Sequence, residues 1–189
     1  MPACFSDCGR YRWWLERVWQ ADARRLLFIG LNPSSADGRS DDPTLRRLMA
    51  FAAGWGYGGI EVLNLFARVS PNPAALRRDP DPEGAANRCW LRRRLRALAR
   101  EQGAPATPIW LGWGNGGRLL GQDQRVLSLL GEENAALVCL GETASGAPLH
   151  PLYQPAASLL RPYGPSCGRS AAAAAPWPAP PAATPSTCS

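Results

Sequence analysis

Leu26-Leu27-Phe28-Ile29-Gly30-Leu31-Asn32-Pro33-Ser34 is the stretch that decides the fold. Four apolar residues run into a glycine and then into a small polar cluster. The pattern reads as a buried parallel strand whose C-terminal end feeds a loop and then a helix. Ligands of open α/β sheets bind beyond the carboxyl ends of the strands, so Asn32 stands where chemistry is expected.

Downstream, residues 35–40 read as flexible and polar, and Asp42-Pro43-Thr44 supplies a helix cap and a proline first turn. Leu45, Leu48, Met49 and Ala52 follow at helical spacing, and Gly54 ends the helix. Upstream, residues 1–9 read as irregular. The aromatic run from Tyr11 to Trp19 fits either an edge strand or a short amphipathic helix, and its alternation favours the strand. The glycines of 54–59 lead into a second strand, Ile60 to Phe66, which places Asn64 level with Asn32 in a parallel sheet. Those glycines precede a strand and do not follow one into a helix, so they are not a phosphate loop. Asn64 lies in an apolar run and must find a partner there, as a network member or as a ligand reader.

A proline-rich loop over 70–83 precedes a long arginine-rich helix from Glu83 to Arg100, with Leu91, Leu95 and Leu98 facing inward. Its Arg92, Arg93, Arg94 and Arg96 read as a solvated face. Thr107 to Leu111 is a third strand, and the glycine-rich turn 112–117 that follows it permits close backbone approach to a ligand. Leu119 to Leu130 reads as helix and Ala135 to Leu140 as a fourth strand. The final loop then carries His150, the only histidine. Four βα-like units predict an α/β fold, a three-layer α/β/α sandwich around a central, mainly parallel four-stranded sheet. Asn32, Asn64, the 112–117 turn and His150 would share one sheet edge. Residues 1–163 make one domain, and the Ala/Pro/Ser-rich residues 164–189 read as a disordered tail.

The net charge of +6 is carried by 21 basic residues, every one an arginine. Such uniform bias dilutes the signal for a nucleic-acid partner. No apolar run approaches the roughly 20 residues of a membrane span, and the N-terminus lacks the pattern of a signal peptide. A cytoplasmic protein with reduced thiols is expected. The six cysteines show no zinc-knuckle spacing. A cluster of Cys4, Cys8, Cys89 and Cys139 could hold an iron–sulfur centre. Cys139, inside an apolar run, reads instead as a small buried hydrophobe. No metal and no cofactor are predicted, and the oligomeric state is left open.

Several motifs concur in order: Gly30-Leu31-Asn32-Pro33-Ser34, Asp41 to Arg47, Trp55-Gly56-Tyr57, Asn64-Leu65-Phe66, Trp113-Gly114 and His150-Pro151-Leu152-Tyr153. Over about residues 5–160 they resemble the bacterial domain of unknown function 1643. More distantly, the same order resembles the uracil-DNA glycosylase superfamily. That resemblance implies a glycosylase-like fold and hydrolysis of the N-glycosidic bond of a base in DNA or a nucleotide. It implies that Asn32 positions the attacking water and that His150 stabilises the leaving base. Asn64 would read the base, with Gly30, Pro33, Ser34 and Gly114 around the substrate and Leu152 as a wedge into the duplex. The chain departs from the glycosylases in having Ser34 after Pro33, no aromatic residue soon after it, and Leu152-Tyr153 after His150-Pro151. A non-catalytic nucleic-acid or nucleotide-binding module on the same fold is the alternative, and an enzyme acting on a small nucleoside-like ligand is a third reading.

Overall fold

Leu26 and Phe28 pack in one apolar cluster and Leu27 and Ile29 in another, so the opening stretch has both of its faces covered. These four side chains are at most 2% exposed, and each contributes about 1.5–3 kcal/mol by leaving water. The computed structural model describes residues 3–34, 40–102 and 107–164. Its elements are β1 (Ala3–Phe5), β2 (Arg12–Val18), β3 (Arg25–Gly30), α1 (Pro43–Gly54), β4 (Gly59–Asn64), α2 (Asn87–Gln102), β5 (Ile109–Leu111), α3 (Gln122–Glu132), β6 (Leu137–Cys139) and β7 (Arg161–Pro162). Short 3-10 segments occupy Pro73–Arg78, Gly114–Gly121 and Pro151–Tyr153.

The α/β class holds, but the sheet has seven strands in the order β1-β2-β4-β3-β5-β6-β7, not four. The four expected strands, β4, β3, β5 and β6, form a parallel centre. Antiparallel strands extend it at both sides: β1 and β2 beside β4, and β7 beside β6. The run from 12 to 18 is indeed a strand, yet it is not an edge, because β1 covers it. Residues 3–5, expected to be irregular, pair with it across a tight turn in which the Gly9 N–H donates to the Ser6 carbonyl at 2.8 Å.

Helix α1 packs on the sheet face of Leu26 and Phe28, through Leu45, Leu48 and Phe51. Helices α2 and α3 pack on the other face, through Leu91, Leu95, Val126, Leu129 and Leu130. On the α1 side Trp110 meets Phe28, Phe51 and Trp55 edge-on, with ring centroids 4.9, 5.7 and 5.0 Å apart. Such pairs add to their burial through the ring quadrupoles. The cap of α1 forms as the sequence predicts, with an Asp42 carboxylate oxygen accepting the Leu45 N–H at 2.7 Å.

Elsewhere the helical readings shift. Residues 114–121 form a 3-10 segment, and Leu120 and Gly121 take positive φ angles of 56° and 66°. That break delays the α-helix to Gln122, three residues later than Leu119. The loop over 70–83 contains the 3-10 turn capped by the Asn72 side chain. Cys139 is buried, at 1% exposure. Leu98 and the tail from 165 onward lie outside the residues whose side chains or backbone are described.

One expectation about α2 is corrected. Arg94 does not point to solvent: its guanidinium forks onto Glu61 of β4 at 2.9 and 2.6 Å. Glu61 is fully buried, and the Arg94 guanidinium also lies 5.1 Å from the Trp14 ring centre. Burying a carboxylate is tolerable only with such a partner. Glu61→Ala should therefore lower the unfolding free energy in urea by about 3–5 kcal/mol, since it strands a largely buried guanidinium.

Candidate functional site

Strand β4 ends at Asn64, and the register pairs Asn64 with Gly30. Asn32 thus lies two residues beyond the level of Asn64, on the loop that leaves the sheet. Two helices fix the strand end. Asn87, the first residue of α2, donates its side-chain N–H groups to the carbonyls of Asn64 and Leu65 at 3.1 and 2.9 Å. Gln122, the first residue of α3, donates to the Leu65 carbonyl at 3.1 Å.

A cleft of about 440 Å³ opens at this end of the sheet. Leu15, Phe28 and Val62 of the sheet and Leu45 and Leu48 of α1 give it apolar walls. Ser70, Pro71 and Pro73 line another side, and His150, Leu152 and Tyr153 complete the rim. Gly30 is required by space: a Cβ there would stand 2.9 Å from the Phe28 ring and 3.2 Å from the Asn64 side-chain oxygen.

Asn64 is only 3% exposed, and its amide nitrogen Nδ2 has no hydrogen-bond partner among the described residues. A buried amide donor left unmade costs about 1–3 kcal/mol, which a ligand acceptor would recover. Asn32 is differently employed. Its Nδ2 donates to the carbonyls of Pro33 and Ser70, both at 2.9 Å, and the Ser70 N–H returns to the Pro33 carbonyl at 2.8 Å. Asn32 and Pro33 therefore pin the loop that forms the Ser70 side of the cleft. The Asn32 Oδ1 takes no donor from the described residues.

The only histidine caps the 3-10 turn Pro151–Tyr153, its Nδ1 accepting the Leu152 N–H at 3.3 Å. The proton of the neutral imidazole is then on Nε2. Burial pushes the His150 pKa below the usual histidine range, and the nearby Asp42 carboxylate opposes that fall. Asp42 also acts on Arg12, a cleft residue only 4% exposed. Desolvation lowers the Arg12 guanidinium to about 10, with Asp42 opposing and Arg17 adding to the drop. Arg12 stays a cation at neutral pH, so the cleft holds a buried positive charge, a carboxylate and a neutral imidazole.

Residues 12–152 match the family described as protein of unknown function DUF1643. The chain belongs to that family. The matched segment runs from Arg12 on the cleft wall to Leu152 on its rim and contains every lining residue but Tyr153. No curated protein and no solved structure is similar enough to match.

Of the residues singled out from the sequence, Gly30, Asn32, Ser34, Asn64, His150 and Leu152 line this one cleft. Pro33 is buried behind it, and Gly114 is not among the lining residues: its N–H donates to the Pro148 carbonyl at 2.9 Å. The neighbouring Gly112 comes closer, since a Cβ there would meet the Phe28 ring at 2.6 Å and Pro151 at 3.0 Å. Sequence reasoning passed over Arg12, Phe28, Asp42 and Tyr153. Asp42 was hidden by a sufficient local explanation, helix capping, and Arg12 by a charge that surface arginines share. Among the described residues no group of three or more His, Cys, Asp or Glu side chains is placed to hold a metal ion.

The lowered His150 pKa makes a statement about stability. Below the unfolded histidine pKa of about 6.5 the unfolded chain binds the proton that the folded state resists. The contribution of the neutral imidazole is present above that pH and is lost as pH falls toward the folded value. Unfolding temperatures measured from pH 7.5 to 5.5 should fall for the wild type and stay flatter for His150→Gln.

Proposed function

We propose that the DUF1643 cleft hydrolyses an N-glycosidic bond, releasing a nucleobase from DNA or from a nucleotide. The observation that carries this reading is the buried Asn64 Nδ2, unpartnered at the end of a parallel strand and beside an apolar slot. A donor held dry in this way rewards a ligand carbonyl and rejects a ligand lacking one. Phe28 and the aliphatic walls suit a flat heterocycle, and Gly30 leaves room for it beside Asn64. The distant likeness to uracil-DNA glycosylases in motif order supports the same assignment, including the two asparagines and the late histidine. A base in duplex DNA would have to be flipped out to enter.

The residues divide the work as follows. Asn32 Oδ1 accepts a hydrogen bond from the attacking water. That water bonds to the sugar C1′ as the bond from C1′ to the base nitrogen breaks, and the electron pair leaves with the base. His150, neutral and protonated on Nε2, donates to the base as negative charge builds on it. Asp42 is the only carboxylate among the lining residues, and it takes the proton that the water gives up. Arg12 offsets the negative charge that collects in the cleft.

A second reading has its own observation. Both short bonds from the Asn32 amide go to backbone carbonyls of its own loop and the next, which is what a structural tie does. On that reading the cleft binds a nucleotide or nucleic acid and performs no chemistry.

Duplexes carrying uracil, hypoxanthine or other deaminated bases, and the matching free nucleotides, separate the two. Wild-type protein should generate abasic sites or free base, and His150→Ala should lower the rate about 10²–10³-fold, the loss seen when one donor to a developing anion is removed. Ligand binding without any bond cleavage would establish the binding-module reading.

Asn64→Leu removes the orphaned donor at similar volume. Its unfolding temperature should equal or exceed that of the wild type, while binding and cleavage are lost. A large loss of stability would return Asn64 to a structural role.

A further inference from the structure

We infer that the outer face of α2 is a second binding site, one for the phosphodiester backbone of a nucleic acid. It lies on the α2/α3 side of the sheet, whereas the cleft opens on the α1 side. Arg88, Cys89, Arg92, Arg93, Arg96 and Arg100 together line a concave surface of about 400 Å³. Four of these arginines recur every fourth residue, at 88, 92, 96 and 100. With a helical rise of 1.5 Å, that is a charge roughly every 6 Å along a row of about 18 Å.

The charges are not equally available. Arg92 pairs with Glu132 at 2.6 Å, and Arg96 pairs with Glu133 at 2.9 Å. Arg88, Arg93 and Arg100 are exposed and have no carboxylate within ion-pair distance among the described residues. Arg93 is held in place by the ring of Trp90, 5.2 Å from its guanidinium, and Arg100 by the Arg96 carbonyl, at 3.1 Å. Among the described residues, five guanidiniums against two carboxylates leave a strong local excess of positive charge.

The shape of that excess identifies the partner. A compact anion needs guanidiniums that converge on one point, and these are strung along a helix. A polymer with regularly repeated phosphates matches such a row, and each fork can grip a phosphate. An anionic membrane would need an apolar anchor beside the basic residues. Among the described residues, none of the exposed large hydrophobics, Val18, Trp19, Leu120, Tyr153 and Leu159, belongs to α2. The proposal does not depend on whether the cleft excises bases.

The test uses the full chain and an undamaged, fluorescently labelled oligonucleotide duplex, with anisotropy read between 50 and 200 mM salt. Combined substitution Arg88→Gln, Arg93→Gln and Arg100→Gln strands no carboxylate. It should lower the slope of log affinity against log salt by about 2.7, so that the affinity ratio between the two salt concentrations shrinks about 40-fold. Glu132→Gln with Glu133→Gln frees Arg92 and Arg96, and should raise affinity and steepen the slope by up to about 1.8. The two variants thus predict opposite changes, which a general loss of folding cannot imitate. Unchanged salt slopes in both variants overturn the proposal, as does an absence of wild-type binding at 50 mM salt. Arginine-dependent binding to phosphatidylserine vesicles with none to the duplex overturns it in favour of a membrane surface.

Discussion

Everything in this fold hangs on the double burial of β3. Because its side chains alternate between two apolar clusters, the strand cannot slip by one residue without exchanging its faces. That constraint sets its parallel register with β4 and β5, and it sends the chain out of the sheet at Gly30 with no freedom in direction. The candidate site is a consequence. Asn64 meets Gly30 because the register says so, and Asn32 falls just past the sheet because the strand ends where its apolar run ends.

The polar groups around that edge are arranged on two levels. One level holds backbone: Asn87 and Gln122 donate to the end of β4 while their own side-chain oxygens stay unpartnered among the described residues, and Asn32 and Pro33 hold the loop opposite. The other is left open, with Asn64 unsatisfied and His150 using only one of its nitrogens. Half-satisfied buried groups cost stability wherever they occur, but among Asn64, Asn87 and Gln122 only the Asn64 amide lines the cleft. Access to the cleft separates the site from its scaffold, and it draws the line between Asn64 and Asn87, both buried asparagines.

Much of this was legible beforehand for local reasons. An apolar run with a glycine stop, an Asp-Pro cap and helical spacing of leucines each have a short-range cause, so β3, α1 and β4 stood in the sequence nearly as they fold. Strands β1 and β7 have three and two residues, too few to show alternation, and they exist only because a partner edge is present. The direction of Arg94 was unreadable among its neighbours Arg92, Arg93 and Arg96, because what selects it is Glu61, thirty-three positions away. For the site, motif order brought six cleft residues together; Asp42 stood in a motif only as a helix cap, and Arg12 enters through tertiary proximity alone. Gly114 was misplaced because turn glycines look alike, and only the close approach of Phe28 and Pro151 distinguishes Gly112.

The grip of Asn87 and Gln122 on the end of β4 has a consequence for motion. These side chains are the first residues of their helices, so freeing the strand end means fraying α2 and α3 together. Opening at that point therefore draws on the stability of the whole sheet-and-helix layer, and its amide protons should exchange with solvent as slowly as those of the core. The floor of the cleft is consequently a fixed template. Any adjustment to an incoming ligand falls to the rim, where Tyr153 stands 80% exposed.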